Sequence, residues 1–275
     1  MENLLVIVII IVGLATLALF LYFVFYSVRN FIESVYIAIF NKPLYVHLYV
    51  WNNELPPGAD ALLQKQFRFY RRLSARRKKY FRHRVARFIK KYRFAGRDGL
   101  HVTEEMKVKI AGTAIMLTFG MRNYLPDVFE VIIIYPSVFE SQNGDYHQGE
   151  FNPRVKAVVF SWEHFQRGID FDTSNLNLGL HEFAHILHIS SLSNRGGTSG
   201  TIYNEMFTRI IQYASVPQNR ERIVNAHYFR EYAYTNHHEF MAVIFEYFFE
   251  TPNAFRQKLP ELYEMVKRMI NYKEG

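Results

Sequence analysis

Residues 177–188 read Asn-Leu-Gly-Leu-His-Glu-Phe-Ala-His-Ile-Leu-His and follow the turn-like Thr173-Ser174-Asn175. Asn177 is a good N-cap, and Leu178, Leu180, Phe183, Ala184, Ile186 and Leu187 make the segment apolar almost all round, which predicts a buried helix. On a helix, residues four apart stand one above the other, about 5–6 Å between Cβ atoms, so His181 and His185 can reach one ion. Glu182 projects from the neighbouring position, where it can take a proton from a water beside that ion. This is the H-E-x-x-H pattern of zinc hydrolases. A chance match in a chain with eleven histidines has a probability of roughly a few per cent. Two imidazoles and a carboxylate in an apolar helix need partners, however, and a metal satisfies all three.

The 275 residues are 49% hydrophobic, enough for one sizeable domain and an additional element. There is no cysteine, which excludes a disulfide framework and a thiolate metal site and leaves His, Asp and Glu as ligands. The net charge of +8 is unevenly placed. Residues 61–97 carry fifteen Lys and Arg and no acid, while the remaining eighteen basic and twenty-five acidic residues sum to −7.

Leu4 to Phe25 is an uncharged apolar run of 22 residues, about 33 Å as a helix, which matches the hydrocarbon core of a bilayer. We expect residues 1–30 to be a single transmembrane anchor, since no Lys or Arg precedes the run and no small-residue cleavage site follows it. The basic residues lie on its carboxyl side, which predicts a cytoplasmic domain by the positive-inside rule. Residues 31–60 read as a juxtamembrane segment and linker, with Pro56-Pro57-Gly58 the clearest break, and the domain is expected over 61–275.

In the basic stretch Tyr70, Leu73, Phe81, Val85, Phe88 and Tyr92 recur every three or four residues, with Arg77 interrupting the stripe. This predicts an amphipathic helical region, restarted at Ser74 as a cap. Its charges fit a solvated face, attraction to anionic lipid, or nucleic acid; the last is disfavoured because the aromatics fall on the apolar stripe. Thr103 with Glu104 and Glu105 starts a helix over Met106 to about Met121. Phe129–Tyr135 and Val155–Trp162 read as strands, Asn143-Gly144 as a turn, and Ser190–Gly200 as a loop.

A zinc held by two histidines needs a third protein ligand. Glu205, Glu231, Glu239, Glu246 and His188 are all candidates, and residues 232–252 read as a turn entering an amphipathic helix with Glu239, Ala242, Val243 and Glu246 on one face. With the basic region ending Phe94-Ala-Gly, Val102-Thr-Glu-Glu-Met, the I-I-I-Y-P and F-S-W strands, H-E-F-A-H, E-F-x-A-V and E-Y-F-F-E-x-P in order, the chain over about 60–255 resembles the Mlc titration factor A family of zinc metallopeptidases. That family is itself similar to the catalytic domain of anthrax lethal factor. The resemblance implies an α+β, mostly helical zincin-like domain with a small sheet. It implies His181, His185 and Glu239 as zinc ligands, Glu182 as general base and Tyr232 as transition-state hydrogen-bond donor, with Tyr234 the alternative in another register. Glu246 is then a reserve ligand or supporting acid, and His237 and His238 are not ligands. The chain departs from the family pattern at His188, where an Asp is usual, and in its amino-terminal apolar run.

The expected function is a membrane-anchored zinc metallopeptidase acting on a peptide or protein substrate, with the strand Val155–Trp162 as the sheet edge beside the cleft. The alternative is a membrane-anchored zinc-containing binding or regulatory module that holds a protein partner and hydrolyses little. Nucleic acid is the least expected partner.

Overall fold

A computed structural model describes residues 1–49, 51, 53–140, 144, 146–171, 173–193 and 197–274. The chain divides into two units, Met1–Leu44 and Tyr45–Gly275. In the first, α1 runs from Glu2 to Phe40 and is capped at Asn41, whose backbone is left-handed (φ 47°). The helix passes the end of the apolar run because nothing between Tyr26 and Phe40 breaks it; the first proline is Pro43. Asn3–Phe40 is long and apolar enough to cross a membrane, and its most apolar window has no buried share.

The second unit begins with α2 (Ala59–Gln66), α3 (Arg68–Arg72) and α4 (Ala75–Lys91). Ser74 caps α4 as expected, its side chain accepting from the Arg77 N–H. The stripe Tyr70, Leu73, Phe81, Val85, Phe88 and Tyr92 is buried throughout. Arg77 is accommodated by donating to the carbonyls of Lys273 and Glu274. Residues 46–49 and Asn53, within the segment expected as linker, lie against α4: Arg84 donates to the Val46 carbonyl and the Asn53 N–H to His83.

Strand β1 (Arg93–Gly96) leads through α5 (Glu104–Thr118) to β2 (Val131–Tyr135). Thr103 caps α5 by accepting from the Met106 N–H at 3.2 Å. Two short strands, β3 (Phe139–Glu140) and β4 (Tyr146–His147), pair with each other; the turn expected at Asn143-Gly144 lies partly outside the described residues. Then come β5 (Gly149–Asn152) and β6 (Ala157–Ser161). The main sheet has the order β1-β2-β6-β5, parallel except for the β5–β6 pair. The expectation that 155–162 forms the sheet edge is therefore corrected. β6 is central, paired on both sides, with Val158 and Phe160 fully buried, and the edges are β1 and β5, of which β5 touches α7. The strand is also shorter than expected, because Lys156 takes a left-handed turn (φ 51°) and Trp162 opens the helix α6 (Trp162–Asp170).

The remaining elements are α7 (Leu178–Leu192), α8 (Gly197–Ser215), α9 (Pro217–Asn225), a 3-10 turn (Glu231–Tyr234), α10 (His237–Glu250), α11 (Pro252–Lys258) and α12 (Pro260–Met269). Of the expected loop 190–200, residues 190–192 end α7 and 197–200 begin α8, while 194–196 lie outside the described residues. Helix α7 packs against α5, α8 and α10 and touches β5, which encloses it on most sides.

Candidate metal centre

Asn177 caps α7, its side-chain oxygen accepting from the Leu180 N–H at 3.0 Å, while its amide donates to the Gly168 carbonyl and to Glu250. The helix so fixed presents His181 and His185 side by side, their Nε2 atoms 3.2 Å apart. Across from them, Asn236 caps α10 by accepting from the N–H groups of His238 and Glu239, which sets Glu239 in the first turn. Glu239 Oε2 lies 3.0 Å from His181 Nε2, and Oε1 lies 3.5 Å from His185 Nε2. One ligand atom from each of the three residues fits within 4.8 Å of the others.

A cation fits this group. Two ligands about 2.05 Å from a tetrahedral ion stand roughly 3.3 Å apart, close to the spacing of the two Nε2 atoms. Glu239 Oε2 is buried yet accepts no well-aligned hydrogen bond, a costly state for a carboxylate oxygen unless a cation meets it. The donor set of two imidazoles and one carboxylate suits zinc, which takes nitrogen and oxygen ligands readily.

The protein also holds the rear of the site. His181 Nδ1 donates to Glu246 Oε1 at 2.9 Å, which fixes the ring with Nε2 facing Glu239. Glu246 is 1% exposed and cannot rely on water. It takes two further hydrogen bonds from the Arg230 guanidinium, at 2.9 and 2.7 Å, and one from the Asn177 N–H at 2.8 Å. Four donors thus satisfy the buried carboxylate. Burial draws the His181 pKa down, but Glu239 and Glu246 outweigh it and push it up to about 9. Burial likewise raises Glu239, but the contacts with His181 and His185 win and hold its carboxyl below the usual range. Both directions describe a pocket that favours positive charge.

Glu182 lies against Gly149 of β5 and is buried, which pushes its pKa up; His181 and His185 oppose this and the charges of Glu239 and Glu150 reinforce it. Room for it depends on Gly149: a Cβ there would come within 2.9 Å of Glu182 Oε1 and Cγ and 2.7 Å of Leu178. Tyr232 sits on the 3-10 turn, half exposed, with its ring 5.9 Å from that of His181. Glu182, Tyr232, Arg230 and Gly149 line a cleft of about 580 Å³ that opens beside His181.

The other candidates stand apart. Glu205 pairs with Arg209 at 2.6 Å and Glu231 is exposed. His188 is buried against Phe207, His238 and Tyr203, and burial followed by the nearby histidines lowers its pKa to about 4. Tyr234 faces a separate cavity of about 310 Å³ between α8, α9 and α10. Arg230, Gly149 and the closing role of Asn177 escape sequence reasoning. Arg230 carries no signal beyond standing two residues before Tyr232, and Gly149 none at all.

A model of the family described as glucose-regulated metallo-peptidase M90 matches residues 47–271. An uncharacterized protein of Synechocystis sp. is 21% identical over 241 residues, covering 80% of this chain and 85% of that protein. Mlc titration factor A of Serratia proteamaculans is 27% identical over 192 residues (62% of this chain, 71% of that protein). Its counterpart in Yersinia pestis is 24% identical over 196 residues (66% and 72%).

Proposed function

The chain belongs to the M90 metallopeptidase family, and from that premise we propose that it is a membrane-anchored, zinc-dependent peptidase. His181, His185 and Glu239 are its metal ligands and α1 is its single membrane span, with the domain on the cytoplasmic side. The observation that carries this reading is the convergence of those three side chains on one point, with a buried carboxylate oxygen of Glu239 lacking an aligned donor.

Bound zinc would supply Lewis acidity toward a scissile carbonyl and a water. The remaining work falls to the chain's own residues. Glu182 is enclosed by β5 and has a raised pKa, which suits a group that takes a proton from the attacking water and returns it to the leaving amine. Tyr232, half exposed at the mouth, can donate a hydrogen bond from its hydroxyl to the oxyanion that forms on the substrate. Arg230 and Glu246 keep the His181 ring in one tautomer and orientation. The cleft has room for several residues of a peptide or protein chain.

The test is zinc content of the purified full chain beside His181→Ala and Glu239→Ala variants. One zinc per chain, lost in both variants, supports the site. A parent chain that stays metal-free after zinc is added back rules it out.

A further inference from the structure

Residues 46–49, with Asn53, form a strap along α4. Arg84 Nη2 donates to the Val46 carbonyl at 3.0 Å, the His47 ring stacks on Tyr80 with centroids 4.7 Å apart, and Tyr49 stacks on His83 at 4.0 Å. The strap's inward side chains thus have partners. Its outward ones do not: Leu48 is 73% exposed and Trp51 83%.

An exposed leucine alone carries no message, but the strap that bears Leu48 lies on a helix face lined by cations. Arg76, Lys79, Arg87 and Lys90 are exposed and share the side of α4 that carries His83, by their three- and four-residue spacing around position 83. The charges of Arg76 and Arg87 reach the strap, acting on His47 and Tyr49. Among the described residues, Lys79, Arg87 and Lys90 have no carboxylate partner and Arg76 bonds only the Tyr80 hydroxyl. Asp60, just before the acid-free stretch, is taken by Arg82 at 3.1 Å. The aromatics that could stack on bases, Tyr70, Phe81, Phe88 and Tyr92, are buried, which leaves a nucleic acid little to bind but its phosphates. A bilayer suits the whole face: tryptophan settles at headgroup depth, and each Lys or Arg near an anionic surface contributes about fivefold in affinity. Only residues 41–45 separate the last residue of α1, Phe40, from the strap.

We propose that the strap and this face of α4 form a docking surface for anionic phospholipid, with Leu48 and Trp51 entering the interface and the four cations holding headgroup phosphates. The catalytic domain is then seated on the bilayer as well as tethered to it. This rests on reading α1 as a membrane anchor, and the experiment separates the two.

Trp51 and Trp162 are the two tryptophans of the chain, so Trp162→Phe leaves Trp51 as the reporter. The full-length variant is placed in vesicles of phosphatidylcholine alone or with about 30% phosphatidylglycerol, floated, and its fluorescence quenched by lipid brominated near the headgroup. We expect quenching at least about twofold greater in the anionic vesicles, falling as salt rises from ~0.1 to ~0.5 M. The difference between the two compositions should vanish when Lys79, Arg87 and Lys90 are all changed to Glu. Should that triple variant fail to fold, the salt titration of the parent decides alone. A chain that floats with Trp51 equally unquenched in both lipids overturns the docking surface and leaves the anchor standing. A chain that floats with neither lipid removes the anchor and the proposal with it. An oligonucleotide that binds this face, with no lipid effect on Trp51, also overturns it.

Discussion

Helices α7 and α4 both carry charge into the core, and they close it in opposite ways. In α7 the groups are the buried Glu182 and the partly buried His181 and His185, facing Glu239 and Glu246 from α10, and the set suits a cation from outside. In α4 the buried group is itself a cation. Arg84 is 0% exposed and, among the described residues, has no carboxylate within ion-pair distance. It donates instead to the Tyr49 hydroxyl and to the carbonyls of Val46, Thr118 and Phe119, and its guanidinium lies 4.0 Å over the Tyr124 ring. Thr118 and Phe119 end α5, so Arg84 satisfies carbonyls that have no partner within their own helix. A buried charge is tolerable wherever its hydrogen-bonding capacity is met. One helix meets it within the chain, and the other, on the proposed reading, meets it with a metal ion.

The two arrangements should therefore fail differently. The largest effect belongs to Glu182→Gln, which keeps the shape of the site but removes the proton acceptor. We expect metal content unchanged and peptide hydrolysis lower by about 10²–10⁴-fold in an assay with saturating zinc. Hydrolysis at the parent rate would remove Glu182 from the mechanism.

Arg84→Met should leave metal binding intact and lower stability by about 3 kcal/mol, because the Val46 and Phe119 carbonyls and the Tyr49 hydroxyl lose their donor and the Thr118 carbonyl loses one of two. Denaturant unfolding of the two proteins reads this difference. An equally stable variant would mean that water replaces the guanidinium, and the contrast with α7 would collapse.

Glu246→Gln sharpens the comparison from the other side. The amide can still contact His181 but no longer supplies the negative charge that Arg230 and His181 both meet. Zinc affinity should fall about 10–100-fold with one zinc still bound at saturation, as competition with a chelator would show. Loss of stoichiometry would instead make Glu246 a ligand.

The smallest effect concerns pH. Burial lowers the His83 pKa to about 4, with Arg87 and Arg84 adding to it, and lowers that of His47 to about 3, with Arg84 next. Both rings are neutral in the folded chain and take protons more readily when unfolded, where the pKa is near 6.5. Their contribution is thus complete above about pH 6.5 and is lost progressively as pH falls toward 4 and then 3. Unfolding midpoints at pH 7 and pH 5 should differ less in His83→Gln than in the parent.

The strengths of these signals in the sequence follow from how local each cause is. The caps Ser74, Thr103 and Asn177 were legible because a cap is settled within three residues, and each takes the hydrogen bond expected of it. The histidine pair was legible because helical spacing alone brings it together. Glu239 came only through the family resemblance, since Glu246 shares its helix face and the residues themselves left both open. What separates the two is the position of Arg230 and of the Asn177 N–H, which occupy Glu246 from behind. Strand β5 was missed because its residues, Gly-Glu-Phe-Asn, have little strand character of their own; pairing with β6 makes it a strand.

The sequence by itself determined the elements whose causes are short-range: an apolar helix at the front, a basic amphipathic region, and a helix presenting two histidines and a glutamate at metal-binding spacing. It also determined the ligand chemistry, since without cysteine the donors must be nitrogen and oxygen. The tertiary structure alone decided which strand is the edge, which glutamate faces the histidines, and that the segment after α1 is a strap carrying Leu48 and Trp51 outward beside a row of cations. Each of those depends on groups that lie far apart in the chain and meet only when the core closes. Periodicity and spacing describe one element at a time and hold no information about such meetings.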